Sequence, residues 1–314
     1  MEPFSFNDNL QVRFTSENGD TMEKARLGII GGSGLYNLPG LNNVSDIIIS
    51  SPWGQASETL KTGYIGTTEI VFLPRHGRGH QLSPSGINYR ANIDVLKRCG
   101  VTDLICFSAV GSYKSELPPG TFVVVDQIID RTYRRESSFF GNGCIAHVPF
   151  ANPIGKALAE RVIAALKIEN IPHTVKGTAV CMEGPQFSTR AESLQYKAEG
   201  HDVIGMTSMP EAKLAREAEI TYCMIAMVTD LDAWHHDHDS VDVSMVVKQM
   251  HINTEAAKRA IMRVASSFPT EREVCPNGSH KALEGAIMTA PSARDAVLLK
   301  KLDAVAGRVL RQNS

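Results

Sequence analysis

The chain lacks the features that mark membrane-spanning, secreted and nucleic-acid-binding proteins. None of its apolar runs approaches the roughly 18 residues of a membrane-spanning helix, and its first residues lack the basic-then-apolar order of a signal peptide. Its 32 Lys and Arg residues against 34 Asp and Glu leave a formal net charge of −2, so we expect no nucleic-acid partner. The shortness of the apolar runs predicts no membrane partner. The six cysteines form no C-x-x-C pair, which predicts buried, reduced thiols in a cytoplasmic protein.

What remains is an ordinary globular composition, with 43% hydrophobic and 21% charged residues. Short runs that are apolar throughout alternate with helical patterns, which predicts an α/β fold with a largely parallel or mixed sheet. The sequence shows no internal repeat and no low-complexity linker. We therefore expect a partly disordered N-terminal extension over 1–26, one core domain over 27–268 and a C-terminal helical appendage over 269–314.

The coarse pattern also predicts individual elements. Strands covered on both faces are expected wherever a short run is apolar throughout. The first of these runs begins at Leu27, and the others cover 46–50, 69–73, 104–110, 122–129, 173–181, 203–206 and 220–228. Apolar residues at helical spacing predict helices over 88–98, 154–168, 189–198, 210–219 and 241–265. Gly100 is a candidate C-terminal cap, and Thr189 with Glu192 fits a capping box.

Two glycine-containing segments follow predicted strands and suit an anion. In Gly31-Gly32-Ser33-Gly34, backbone N–H groups can approach a phosphate and Ser33 can donate a hydroxyl. The alternatives are a tight turn and a dinucleotide fingerprint, but the fingerprint lacks its third glycine. The segment 74–80 holds two Arg and two His residues at a strand end, where α/β sheets bind ligands. The planar fork of Arg75 suits phosphate, although a basic surface turn is the alternative.

Two carboxylates and a histidine-rich run follow the apolar strand that ends near Val228. Asp230 and Asp232 cannot both be buried without partners. One of them, when protonated, can donate to a ring nitrogen while the other accepts from an amine; the alternative is a solvated loop. The run 235–239 has the composition of a metal site, but a polar run before a helix is more typical of a solvated loop. We expect no bound metal.

Taken in order, these segments resemble the methylthioadenosine phosphorylase branch of the purine nucleoside phosphorylase family. The similarity covers 27–265 and rests on IIGGSGLY, LPRHGRGH, INYRANI, SAVGS, PPGTFVVVDQIIDRT, MEGPQFSTRAES, VIGMTSMPEAKLAREAEI and TDLDAW. It implies a single-domain α/β fold with a central mixed sheet flanked by helices. It also implies a salvage reaction, the phosphorolysis of 5′-methylthioadenosine to adenine and 5-methylthioribose 1-phosphate. Inorganic phosphate is then a co-substrate, no cofactor is needed, and the protein is a homotrimer.

The resemblance assigns roles to individual residues. The phosphate-binding positions correspond to Ser33, Arg75, His76, Ser108, Ala109 and Thr207. Met206 corresponds to the residue against the ribose, and Phe187 and Ser188 to residues beside the base. Asp230 corresponds to the acid that serves purine N7, and Asp232 to the acceptor of the 6-amino group. The 5′-methylthio pocket corresponds to His80, Val243, Val246, Val247 and, from the neighbouring subunit, His147.

The residue type at position 232 bears on the substrate. A 6-amino group donates a hydrogen bond and needs an acceptor, whereas a 6-oxo group accepts one and pairs with an Asn amide. Asp232 therefore favours adenine over hypoxanthine, since an unpaired polar group costs about 1–3 kcal/mol. Two alternatives stay open: a broader phosphorylase of adenosine, inosine or methylthioinosine, and a non-catalytic nucleoside-binding protein. The three valines also fit an ordinary helix core.

Overall fold

The centre of the structure is a parallel pair of ten-residue strands that are buried along nearly their whole length. The computed structural model describes residues 13–15, 21–36, 38–235 and 243–311. Both central strands are apolar almost throughout because layers of structure cover both of their faces. The described strands are β1 (Arg13–Thr15), β2 (Thr21–Glu23), β3 (Leu27–Gly31), β4 (Asn42–Ile47), β5 (Leu60–Ile65), β6 (Thr68–Pro74), β7 (Asp103–Ser112), β8 (Phe122–Val124), β9 (Gln127–Arg131), β10 (His173–Val175), β11 (Thr178–Met182), β12 (Val203–Gly205) and β13 (Thr221–Asp230).

Eleven of the described strands form one mixed sheet. Its main path runs β10-β8-β13-β7-β3-β6-β5-β4, and β9, β11 and β12 join it beside β7. The strands β6, β3, β7 and β13 are parallel neighbours in that order, so their carboxyl ends meet at one edge. Antiparallel pairing of β5 with β6 and of β12 with β7 makes the sheet mixed, which confirms the predicted fold class.

Helices flank this sheet, as predicted. The longest described helix, α5, packs on β13 and on α2 through its buried face of small and branched side chains. Gly100 adopts φ +74° just after α1, and Thr189 and Glu192 form the predicted capping box at the start of α3. The described α-helices are α1 (Tyr89–Arg98), α2 (Lys156–Ile168), α3 (Arg190–Ala198), α4 (Ser208–Glu217), α5 (Val243–Ser266), α6 (Ala296–Lys301) and α7 (Gly307–Leu310).

Two predicted strands are wrong in length because the chain changes partners inside each of them. The runs 122–129 and 173–181 each form two short strands, with β8 pairing β10 and β9 pairing β11. At the break, the Asp126 carboxylate accepts a hydrogen bond from the Gly177 N–H over 2.9 Å. The apolar pattern is continuous across the break, so the sequence gives no sign of the bend.

The edge of the sheet also departs from the expectation. The prediction of a covered strand over 46–50 is wrong: the strand here is β4, and most of its residues are exposed. It pairs antiparallel with β5, which the apolar-run pattern did not identify because polar and glycine residues interrupt it. An edge strand needs only one covered face, so it does not have to be apolar throughout.

The C-terminal region packs onto the body of the protein. Leu302, Val305 and Ala306 are fully or almost fully buried in the main core, and the helices here are only six and four residues long. Near the N-terminus, β1 pairs with β2, whereas residues 1–12 and 16–20 lie outside the described residues. The proposed boundaries at 26 and 268 stay predictions. No helix in the described ranges is long and apolar enough to cross a membrane, and all six cysteines are buried thiols.

Candidate active site

Several predicted site residues gather where β3, β6, β7 and β13 end. After β3 the chain enters a single helical turn over Ser33–Tyr36. The main-chain N–H of Arg75, just beyond β6, donates to the Gly31 carbonyl over 3.1 Å. This bond places the glycine loop beside the 75–76 segment. The Ser33 side chain lies outside what the structure describes, so its contact with phosphate stays a prediction.

Arg75 is more deeply embedded than its predicted role requires. Its side chain is 3% exposed and pairs with Glu211, from Nε to Oε2 over 2.9 Å. Nη1 donates to the Phe107 carbonyl over 3.0 Å, and Nη2 contacts Cys106 Sγ and Glu211 Oε1 over 2.7 and 3.3 Å. These contacts engage four of the five guanidinium N–H groups. Arg75 therefore links β7 to α4. One N–H of Nη1 is not used by these contacts, and the phosphate contact of Arg75 stays a prediction.

His76 is held as a neutral ring. Its Nδ1 lies 2.8 Å from the Leu82 carbonyl, which fixes the tautomer with hydrogen on Nδ1 and leaves Nε2 as an acceptor. Burial and the charge of Arg75 lower the pKa of His76 to about 4. The ring stacks on that of His80, with centroids 4.2 Å apart. A neutral Nε2 is suited to accept a hydrogen bond from the P–OH group of hydrogen phosphate, so His76 can bind that ion without adding charge.

Two further phosphate candidates meet directly. Ser108 Oγ, on β7, and Thr207 Oγ1, before α4, lie 3.2 Å apart, although 99 residues of sequence separate them. Both residues are buried. Thr207 stands at the N-cap position of α4, but its hydroxyl faces Ser108 and caps no described N–H group of the helix. The structure thus brings two of the predicted phosphate residues together, and their contact with phosphate stays a prediction.

The carboxyl pair leaves β13 as predicted and is largely enclosed. Asp230 Oδ1 accepts from the Asp232 main-chain N–H over 2.9 Å, and its Oδ2 accepts from Thr229 Oγ1 over 2.8 Å. Asp232 Oδ2 accepts from Ser193 Oγ over 2.5 Å. Burial raises the pKa of Asp230, and burial with the charge of Asp230 raises the pKa of Asp232. The solvated-loop alternative for this pair is therefore excluded.

Gly111 makes room for both carboxyl groups. A Cβ atom at this position would lie 3.0 Å from Asp230 Oδ1 and 3.1 Å from Asp232 Cβ. Asp232 itself adopts φ +43°, in the left-handed region that Asp tolerates better than most residues. The absence of a side chain at Gly111 on β7 and the left-handed backbone at Asp232 together allow the two acidic side chains to lie close to each other.

The turn between β11 and α3 carries the predicted base contacts. Phe187 is 47% exposed and Ser188 is 8% exposed, so the aromatic ring is free to stack while the hydroxyl is enclosed. Gly184 adopts φ +64°, and a Cβ there would lie 2.5 Å from Met206 Sδ. Met206 therefore packs on this turn, which places the predicted ribose residue beside the predicted base residues.

The residues predicted for the 5′ pocket differ in exposure, and their shared pocket stays a prediction. Val246 is half-buried, and Val247 is 42% exposed on the outer part of α5; the Val243 side chain lies outside the described residues. His80 is exposed above His76. His147 is exposed as well, and its main-chain N–H donates to Ala286 over 2.9 Å. The core-packing alternative does not fit the exposed Val247.

The histidine-rich run gives no metal site in the described part of the chain. Residues 236–239 lie outside it, and only His235 of the run is described. Within the described ranges no group of three or more His, Cys, Asp or Glu side chains is arranged to hold a metal ion.

Several residues that shape the site were not predicted from the sequence. Glu211 neutralises Arg75, Thr229 and Ser193 orient the carboxyl pair, and Trp234 Nε1 donates to the Ser112 carbonyl over 2.7 Å. Arg135, in a stretch without helical or strand periodicity, donates to carbonyl groups of two site turns. The only available signal was the concentration of polar residues at strand ends, which does not say which of them pair.

Known proteins share both the sequence and the fold. Residues 26–266 match the sequence profile of the phosphorylase superfamily. S-methyl-5'-thioadenosine phosphorylase of Bradyrhizobium diazoefficiens is 61% identical over 92% of this chain and all of its own length. The enzyme of the same name from Rhodospirillum rubrum is 52% identical over 90% of this chain and 97% of its own.

Solved structures agree with these relatives. A methylthioadenosine phosphorylase from an antarctic soil metagenomic library superposes with a TM-score of 0.83 and 41% identity, covering 90% of this chain and 99% of the other. Methylthioadenosine phosphorylase from Schistosoma mansoni in complex with adenine gives a TM-score of 0.78 and 33% identity, over 87% and 99% of the two chains. With a profile match across the core and relatives of this identity along most of its length, the chain belongs to the phosphorylase superfamily.

Proposed function

We propose that this protein catalyses the phosphorolysis of 5′-methylthioadenosine to adenine and 5-methylthioribose 1-phosphate. The observation that carries the proposal is the enclosed pair Asp230 and Asp232, which presents one carboxyl group held by Thr229 and another held by Ser193. Relatives that are 61% and 52% identical are methylthioadenosine phosphorylases by name, which supports the same substrate here.

Asp230 is the acid that makes the purine a good leaving group. A phosphate oxygen forms a bond to C1′, the C1′–N9 bond breaks, and its electron pair passes into the purine ring. Asp230 delivers a proton to N7, so that adenine leaves as a neutral molecule. Burial raises the pKa of Asp230, which favours the protonated form that this step requires.

Asp232 selects the 6-amino group. Its Oδ2 is engaged by Ser193, so its remaining lone pairs can accept from the amine. A 6-oxo purine would present an acceptor to the same carboxyl and leave a buried polar group unpaired. This favours an adenine nucleoside over the broader alternative with inosine or methylthioinosine.

The nucleophile is held opposite the base by neutral donors and an acceptor. Ser108 and Thr207 offer two hydroxyl groups that lie 3.2 Å apart, and His76 offers a neutral ring nitrogen. Because Glu211 balances the charge of Arg75, the bound phosphate keeps most of its own negative charge beneath the developing cation at C1′. The reaction needs phosphate as co-substrate and no further cofactor.

We infer a homotrimer that completes the 5′ end of the site. His147 is exposed, as is Ile145 two residues before it, and Met288 on the facing segment is 65% exposed. The Met288 N–H donates to the Ile145 carbonyl over 2.8 Å, so these side chains share one apolar surface that a neighbouring subunit can cover. Buried, unpaired thiols are typical of a reducing compartment, which supports a cytoplasmic location.

The proposal is tested by measuring adenine release from 5′-methylthioadenosine with and without phosphate. Release that requires phosphate supports phosphorolysis. Equal release without phosphate would mean hydrolysis. Tight binding of adenine with no release from the nucleoside would favour the non-catalytic alternative.

A further inference from the structure

Arg135 occupies a buried position between the two turns that carry the predicted substrate contacts. Its side chain is 1% exposed. Nη1 donates to the Met206 and Met209 carbonyls, each over 2.6 Å, and Nη2 donates to the Glu183 carbonyl over 2.7 Å. One guanidinium group thus satisfies carbonyl groups from two separate parts of the chain.

The first of these turns belongs to the phosphate side. Met206 and Met209 flank Thr207, whose hydroxyl faces Ser108. Arg135 binds the carbonyl on each side of this turn, so it fixes the backbone on which the Thr207 hydroxyl is carried.

The second turn belongs to the base side. Glu183 opens the segment that continues through Gly184 to Phe187 and Ser188. Its carboxylate is also held, because Oε2 accepts from the Tyr133 N–H over 2.8 Å and Oε1 accepts from the Ser85 hydroxyl. The close packing of Met206 on Gly184 brings the two turns into contact. Arg135 therefore binds the backbone of both turns close to the place where they touch.

We propose that Arg135 is a positioning residue that sets the phosphate-binding turn against the base-binding turn. The inference rests on the proposed function for the identity of the two ligands. Because its side chain is only 1% exposed, Arg135 acts through the backbone of the Thr207 turn and of the turn that begins at Glu183, not by contact with a substrate. Its loss should weaken phosphate and nucleoside binding together, since both turns lose the same support.

The fork of donors explains why this position needs arginine. A guanidinium group presents five N–H groups in one plane, whereas a lysine ammonium presents three on a single atom. Nη1 binds the Met206 and Met209 carbonyls while Nη2 binds the Glu183 carbonyl, and an ammonium, whose donors share one atom, cannot occupy both nitrogen positions. The Arg135→Lys variant therefore keeps the charge and removes the bridge.

The test compares Arg135→Lys with Arg272→Lys as a matched control. Arg272 also has a largely covered side chain, 9% exposed, and donates to the Glu219 carbonyl and the Glu23 carboxylate. It lies near the start of β13, whereas the site lies at the end of that strand. We expect Arg135→Lys to raise the KM for phosphate and the KM for 5′-methylthioadenosine, each by about 10-fold or more. Arg272→Lys should change neither KM by more than about twofold, even where it lowers the melting temperature.

A second variant guards against misfolding. Glu183→Gln keeps the size of the side chain but removes the carboxylate that lies 3.8 Å from Arg135 Nε, and it should raise both KM values by a smaller factor. If Arg135→Lys is folded and leaves both KM values at the control level, or if it does not fold and Glu183→Gln leaves them there, the proposal is overturned. Calorimetric titration with adenine and with phosphate applies the same comparison without turnover, so failure of the proposed reaction is distinguished from failure of this role.

Discussion

The main-chain N–H of Asp232 donates to Oδ1 of Asp230 over 2.9 Å, so one member of the carboxyl pair orients the other. Thr229 holds the second oxygen of Asp230 over 2.8 Å. Both donors lie within two residues of Asp230 along the chain. The end of β13 therefore fixes the orientation of the Asp230 carboxyl group before a substrate binds. This arrangement makes the pair separable by mutation, because each carboxyl has its own partners.

Asp230→Asn should lose most of the turnover while the protein still folds. The substitution keeps size and shape but removes the acidic proton, and general acid catalysis contributes typically 10²–10⁴-fold. We expect kcat for adenine release to fall within that range, with a melting temperature close to that of the unaltered protein. Unchanged kcat in a folded variant would contradict the assigned role.

Asp232→Asn should change the preference between bases. The Asn amide can donate to a 6-oxo group, while its oxygen can still accept from Ser193 Oγ. The ratio of kcat/KM for 5′-methylthioadenosine to that for methylthioinosine should fall by about 10- to 100-fold. A variant in which both substrates lose activity equally would show that Asp232 does not read the 6-position.

Gly111→Ala should displace the carboxyl pair by steric contact with the added methyl group. Its Cβ would lie 3.0 Å from Asp230 Oδ1, so that carboxyl must shift, and a displacement at the reacting group reduces catalysis more than stability. We expect kcat to fall at least about 10-fold. The matched control is Gly141→Ala, where no heavy atom lies within 4 Å of the added Cβ. Equal activities of the two alanine variants would refute the steric account.

Glu217 should make stability fall as pH rises. This residue is buried, accepts from Ser138 Oγ and the Phe139 N–H over 2.7 Å each, and burial raises its pKa from 4.5 to about 7. The folded chain then retains a proton that the unfolded chain releases. The stabilisation by this proton is complete below about pH 4.5 and is lost as the pH rises through 7.

Urea unfolding at pH 5, 6, 7 and 8 measures this effect. Between the lowest and highest pH, the unfolding free energy of the unaltered protein should fall by up to roughly 3 kcal/mol relative to that of Glu217→Gln. The glutamine cannot ionise, so the variant isolates the contribution of this one group. If the two proteins give parallel curves, Glu217 does not titrate in this range.

The sequence was informative wherever the chemistry is local. The capping box of Thr189 and Glu192 and the exit of Asp230 and Asp232 from a buried strand follow from short patterns, and all are present in the structure. The alternation of short apolar runs with helical patterns was enough to predict an α/β fold with a mixed sheet, which the structure has.

Pairs of interacting residues that are far apart in the sequence could not be predicted in the same way. Arg75 shows the difference: its type predicts an anion-binding fork, but its burial against Glu211, 136 residues away, commits most of its donors to the protein. The sequence did not mark Arg135 as a site residue. Its partners are main-chain carbonyls, which every residue has, so the residue types do not show which of them accept its hydrogen bonds. The break between β8 and β9 at Asp126 could not be predicted either, because a change of strand partner leaves the apolar pattern intact.

The most direct test of the account follows phosphorus during the reaction with 5′-methylthioadenosine. In ³¹P NMR, the inorganic phosphate signal should decrease as a sugar 1-phosphate signal appears, with one phosphate ester formed for each adenine released. Adenine release accompanied by free 5-methylthioribose, with the phosphate signal unchanged, would contradict phosphorolysis and with it the assignment of Ser108 and Thr207 to the nucleophile.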